Sequence, residues 1–157
     1  MALHSSGGNY GQSSGKSSDK TLHRKDEKGN GFTSSGDHIL LVDDDKLFIS
    51  MMVKMLERQG YKITPFTDPL RALEKFRENS TAFDLVITDQ CMPYMEGTQL
   101  IQAIREISPD IPVILWSGFK EDADSENDSL MGAVAFLEKP FHLKDMASAI
   151  RRVLENH

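Results

Sequence analysis

From residue 38 onward, short apolar runs alternate with longer segments whose apolar residues recur every three or four positions. The runs 39–42, 61–66, 85–88, 113–116 and 133–137 have the length and composition of β-strands. Two of them, Ile39–Val42 and Leu85–Ile87, are apolar without alternation, as expected of central strands covered on both faces. The segments between them read as helices. Phe48, Met51, Met52, Met55 and Leu56 form a stripe that stops at Gly60. Asp68-Pro69 is an N-cap followed by a first-turn proline, and Leu70, Leu73 and Phe76 form the expected inner face of a second helix. Leu100, Ile104 and Ile107 serve a third, ended by Pro109. Residues 122–131 give a weak, acidic fourth, and Leu143, Met146, Ala147, Ile150, Val153 and Leu154 a fifth. Strict alternation of five strands and five helices predicts an α/β fold, a three-layer α/β/α sandwich on a parallel sheet.

Residues 1–36 break this pattern. They contain eight Ser and seven Gly with apolar residues scattered singly, which is too little to offset the entropy of ordering; a disordered tail or linker is expected, followed by one domain from residue 37 to 157. Gly11-Gln12-Ser13-Ser14-Gly15-Lys16-Ser17 superficially matches a phosphate-binding loop, but three residues rather than four separate its glycines and no strand precedes it. A single cysteine excludes a disulfide framework. The absence of a leader and of long apolar runs argues for a cytoplasmic protein with no membrane partner. The chain carries a net charge of −6; residues 1–37 hold five basic and four acidic residues, about +1, so the remainder carries about −7, with 13 basic against 20 acidic. So acidic a domain is ill suited to phosphate backbones, and no direct nucleic-acid contact is expected.

The chemistry-bearing residues cluster at strand ends. Asp43-Asp44 follow the first strand, Asp89 the third, Ser117 the fourth, and Lys139-Pro140 the fifth. Ligands of open α/β sheets bind outside the carboxyl ends of the strands, so topology brings these groups together. Taken singly, each is an ordinary turn, cap or surface residue. Together they suit Mg²⁺-assisted transfer of a phosphoryl group onto Asp89, a carboxylate that needs no general base when ionised. Crowded carboxylates repel unless a hard cation lies among them; Asp43, Asp44 and Asp89 supply oxygens for Mg²⁺, with the backbone carbonyl of Cys91 as a fourth. Asp45 is a candidate cap for the first helix. Lys139 is a point charge for a phosphoryl oxygen, the Lys139–Pro140 peptide a candidate cis bond, and the Ser117 hydroxyl a donor to the same group. The five histidines show no metal-ligand spacing, and Phe136 taken alone reads as core.

Over residues 38–157 these motifs resemble the receiver domain of two-component response regulators. The acidic pair follows Ile39-Leu40-Leu41-Val42, and Asp84-Leu85-Val86-Ile87-Thr88-Asp89 with Met92-Pro93 and Gly97 resembles the phosphoacceptor segment. Ile111-Pro112-Val113-Ile114-Leu115-Trp116-Ser117-Gly118 resembles the switch-hydroxyl strand, and Phe136-Leu137-Glu138-Lys139-Pro140 the aromatic–lysine–proline segment. The resemblance implies a flavodoxin-like (βα)5 sheet of order 2-1-3-4-5. It also implies Mg²⁺, and phosphorylation of Asp89 by a histidine kinase or a histidine phosphotransfer protein. Ser117 and Phe136 would move inward together on phosphorylation. A downstream protein would dock on about residues 122–155, and a phosphorylation-dependent homodimer stays open. The first helix, with Met51, Met52 and Met55, would lie near the kinase-docking side.

No output domain is expected within this chain. Two other readings compete. A constitutive interaction module on the same fold would bind partners without phosphorylation. A haloacid-dehalogenase-like phosphatase would use Asp43 as nucleophile, although Leu47 stands where its motif needs Thr or Val.

Overall fold

The computed structural model describes residues 36–118 and 132–157. Five strands, β1 (His38–Val42), β2 (Lys62–Phe66), β3 (Leu85–Asp89), β4 (Val113–Ser117) and β5 (Ala135–Glu138), pair in parallel in the order β2-β1-β3-β4-β5. Among the described residues there are four α-helices: α1 (Lys46–Arg58), α2 (Pro69–Glu78), α3 (Gly97–Ile107) and α4 (Leu143–Glu155). A 3₁₀ turn, Ser80–Ala82, leads into β3. The expected Ser/Gly-rich segment up to residue 35 and the expected helix at 122–131 lie outside the described residues.

Strand parity divides the core into two layers. Leu40, Val42, Val86, Val113 and Leu115 face α2 and α3, where Ala72, Leu73, Phe76, Leu100, Ile101 and Ile104 meet them. Ile39, Leu41, Leu85, Ile87, Ile114 and Trp116 face α1 and α4 and pack on Ile49, Met52, Leu56, Met146, Ile150 and Val153. Each central strand thus buries both faces, which is why its sequence carries no alternation.

The helix ends follow local chemistry. The Asp45 carboxylate accepts hydrogen bonds from the backbone N–H groups of Leu47 and Phe48, each at 3.0 Å, and caps α1 as expected. Asp68 caps α2 through the Leu70 N–H at 2.9 Å, with Pro69 at the first helical position. A reciprocal capping box joins Glu96 and Gln99 at the start of α3.

Three inner faces are rotated from those expected. Met51 is 48 % exposed, and Ile49 takes its place in the core. At about 100° per residue, Met51 lies across the helix from the arc set by Ile49, Met52 and Leu56. Leu70 is likewise exposed, because Pro69, Ala72, Leu73 and Phe76 centre the buried arc of α2 away from it. In α3, Ile101 is buried and Ile107, in the last turn, is exposed. Leu143, the first residue of α4, is also exposed, and Ala149 is buried. The first strand begins one residue earlier than expected; β3, β4 and β5 run one residue further, β2 starts one residue later, and β5 starts two residues later.

Candidate functional site

The register sets the site. Val42 pairs with Thr88, and Asp89 with Trp116, so Asp43, Asp89 and Trp116 stand level at the ends of three adjacent strands. Ser117 pairs with Glu138, which brings Lys139 to the same rim. Carboxylate oxygens of Asp43, Asp44 and Asp89 all lie within 4.8 Å of one another. Asp43 and Asp89 are buried, and Asp44 is exposed at the mouth.

Asp43 is the most heavily engaged of the three. Its Oδ1 accepts the Asp45 backbone N–H at 2.9 Å. Its Oδ2 accepts both the Lys139 ammonium at 2.8 Å and the Trp116 indole N–H at 3.0 Å. Lys139 also lies 3.3 Å from Asp89 Oδ1, so one ammonium bridges two buried carboxylates. Burial opposes the charge on Lys139, but the hydrogen bonds and charges of Asp43 and Asp89 prevail and raise its pKa. Asp89 is pushed up to about 6, first by burial and then by the neighbouring Asp43 charge, with Lys139 pulling the other way and Asp44 adding to the rise. It therefore sits well above an ordinary carboxylate, yet is still mostly ionised at neutral pH.

The donor set fits a hard divalent cation. All its groups are carboxylate oxygens, they are close enough to share one ion, and the one lysine paired with them among the described residues leaves their charge under-compensated. Cys91, whose carbonyl was expected to join them, lies exposed in the loop after β3. Ser117 is buried at the end of β4, and its carbonyl accepts the Lys139 backbone N–H at 2.7 Å. Phe136 is half-buried, level with Leu115, against the α2–α3 layer. The Lys139–Pro140 peptide is cis.

The loop carrying Asp89 is tied to α3. The Gly97 N–H donates to the Gln90 carbonyl at 2.9 Å and the Thr98 N–H to Gln90 Oε1 at 3.1 Å. A Cβ on Gly97 would stand 2.2 Å from the Asp89 carbonyl oxygen, so only glycine allows this approach.

Three contributors were not picked out from the sequence as part of the site: Trp116, Phe48 and Gln90. Phe48 places its ring 4.3 Å from the Lys139 ammonium. For Trp116 a signal did exist. A buried indole N–H needs an acceptor, and the strand ends at its level offer carboxylates.

The receiver-domain model of response regulators matches residues 39–151. The chain belongs to the response regulator receiver family. It is similar to the response regulator receiver protein CpdR of Brucella abortus, 35% identical over 116 residues that cover 74% of this chain and 95% of CpdR. It is also similar to the sensor kinase CckA of the same organism, 34% identical over 132 residues, 84% of this chain but only 14% of CckA. The chain likewise spans 19% of a plant relative, the putative response regulator ARR21 of Arabidopsis thaliana. Among solved structures, a receiver domain from Clostridium thermocellum superposes with a TM-score of 0.71 at 28% identity, covering 76% of this chain and 95% of that one. A CheY-like receiver from Methanospirillum hungatei gives 0.70 at 30%, covering 78% and 96%. This receiver is thus a domain of two-component signalling, and among its described residues no helix is long and apolar enough to cross a membrane.

Two outcomes follow for the metal-free receiver. Because folding raises the Asp89 pKa, the folded state holds a proton that the unfolded chain releases between about pH 4 and 6. Stability from this group is therefore complete below about pH 4 and is lost as pH rises to about 6, a change of about 3 kcal/mol for two pH units. Asp89→Asn removes that loss, so the variant should outlast the native chain in urea at pH 7 and lose the advantage near pH 4. Gly97→Ala should cost more than about 2 kcal/mol by forcing backbone apart, read by the same unfolding curves.

Proposed function

We propose that this receiver is a Mg²⁺-dependent phosphoacceptor switch in which Asp89 takes a phosphoryl group from a phosphohistidine of a histidine kinase or histidine phosphotransfer protein. The observation that carries this reading is the contrast between its two buried carboxylates. Asp43 is held by three donors, whereas the one ion-pair partner of Asp89 among the described residues is Lys139 at 3.3 Å. Asp89 is thereby the freer nucleophile and Asp43 the fixed ligand, which disfavours a phosphatase acting through Asp43.

In the proposed step an Asp89 carboxylate oxygen attacks phosphorus, the P–N bond to the donor imidazole breaks, and that nitrogen keeps the electron pair and takes a proton. The ion, held by Asp43, Asp44, Asp89 and the Cys91 carbonyl, would neutralise charge on the phosphoryl oxygens. Lys139 already lies within reach of Asp89 and offers its ammonium to one phosphoryl oxygen as the carboxylate is esterified. The Ser117 hydroxyl, one residue past the Trp116–Asp89 level, is the donor that would respond to the new group, with Phe136 following it inward. Burial of Asp89 limits water access and so sets how quickly the acyl phosphate hydrolyses. Residues 37–157 form the receiver in this reading, residues 1–36 a tail or linker, and about 122–155 the surface for a downstream partner. A module that binds partners regardless of Asp89 chemistry is the competing case.

Intact-protein mass after incubation with acetyl phosphate and Mg²⁺ tests the proposal. One Mg²⁺-dependent phosphoryl adduct is expected on the native chain, absent in Asp89→Asn and weakened in Asp43→Asn. An adduct that survives Asp89→Asn but vanishes in Asp43→Asn would reverse the two roles. Partner binding unaltered by Asp89→Ala would favour the constitutive module.

A further inference from the structure

Trp116 is fully buried, yet its indole N–H reaches the most engaged carboxylate of the site. Phe48 packs against it edge-on at 5.2 Å between ring centroids, and Phe141 lies at 5.6 Å. Both rings also flank each other at 6.2 Å, so the indole is wedged in an aromatic layer with little freedom to turn. Asp43 Oδ2 accepts two donors of unequal mobility. One is this immobile indole; the other is the Lys139 ammonium, on a long, partly exposed stem. A carboxylate offers about four lone-pair positions, and three on Asp43 are filled.

We infer that Trp116 is a positioning residue for the divalent cation: its N–H fixes the Asp43 carboxylate while Lys139 is the donor that gives way. This inference rests on the phosphoacceptor reading above and adds to it a residue outside the acid–hydroxyl–lysine set. The division of labour follows from the geometry. Any ligand that draws Lys139 toward a phosphoryl oxygen removes one donor from Oδ2, and a carboxylate held only by the Asp45 N–H would be free to rotate about its terminal torsion. The indole holds it in place through that exchange, as outer-shell donors orient metal-binding groups elsewhere. Trp116 is also the single tryptophan of the chain, so its emission reports this hydrogen bond without a label.

The test separates the N–H from the ring. Replacing Trp116 with benzothienylalanine, in which sulfur stands in place of the N–H, keeps the shape that packs against Phe48 and Phe141. Calorimetric titration with Mg²⁺ should show about tenfold weaker binding in that variant, with a metal-free unfolding midpoint lowered by no more than the loss of that one hydrogen bond. Trp116→Phe should show at least the same loss, together with lower stability from the smaller ring. In the native chain Mg²⁺ should shift the tryptophan emission with the midpoint that calorimetry gives, and Asp43→Asn should abolish that shift. Equal Mg²⁺ affinity in the native and benzothienylalanine proteins overturns the inference. If the native chain forms the Asp89 adduct while those affinities are equal, the positioning role alone fails. If the native chain neither binds Mg²⁺ nor forms the adduct, both readings fail together.

Discussion

One ammonium between two buried carboxylates organises this receiver. Lys139 lies 2.8 Å from Asp43 and 3.3 Å from Asp89, with Asp44 at the mouth of the same cluster. Removing the two buried acids from water is costly, and among the described residues one ammonium faces three carboxylates. The mismatch appears as a pKa of about 6 on Asp89 and as a raised pKa on Lys139. A site that stable folding alone would have neutralised is instead left short of positive charge. That shortage suits the cluster to a divalent cation, whose charge the proposed phosphoryl transfer would need before an anionic group could be accepted there.

Everything around the cluster serves to hold those charges at the rim of a rigid sheet. The parallel register sets Asp43, Asp89 and Trp116 level, and two apolar layers keep the three strands from sliding. Shifting one strand by one residue would turn its core side chains to the wrong face. The loops beyond the strands are restrained in turn. Asp45 caps α1 and donates its own N–H to Asp43, and Gln90 ties the Asp89 loop to the first residues of α3. Gly97 permits that second restraint because a side chain there would collide with the Asp89 carbonyl. Rigid support for the acids contrasts with the long stem of Lys139, and that contrast in mobility underlies the roles proposed for Trp116 and Lys139.

How much of this was legible in the chain depended on the range of the interaction involved. Caps and turns were readable because Asp45, Asp68-Pro69 and Gly60 act on residues a few positions away. The central strands were readable because a doubly covered strand must be apolar throughout, and parallel pairing followed from the strand–helix alternation, whereas the order 2-1-3-4-5 came from the family resemblance. Inner helix faces were less so: Met51, Leu70, Ile107 and Leu143 are as apolar as the residues that displaced them, and exposure was settled by which arc met the sheet. Phe48 fitted the stripe of α1, but nothing in that periodicity announced a lysine above its ring.

The sequence by itself determined the strand–helix alternation, the acids and lysine at the strand ends, and hence the family and the region where its chemistry gathers. These depend on local periodicity and on the rule that a parallel sheet collects its loops at one edge. Only the tertiary structure decided which carboxylate is clamped and which is left freer, the elevation of the Asp89 pKa, and the bond from Trp116 to Asp43 across 73 residues of chain. Those properties arise from burial and from distances of about 3 Å between distant segments, and a hydrogen bond or a desolvated charge exists only once packing has brought its partners together and removed the water.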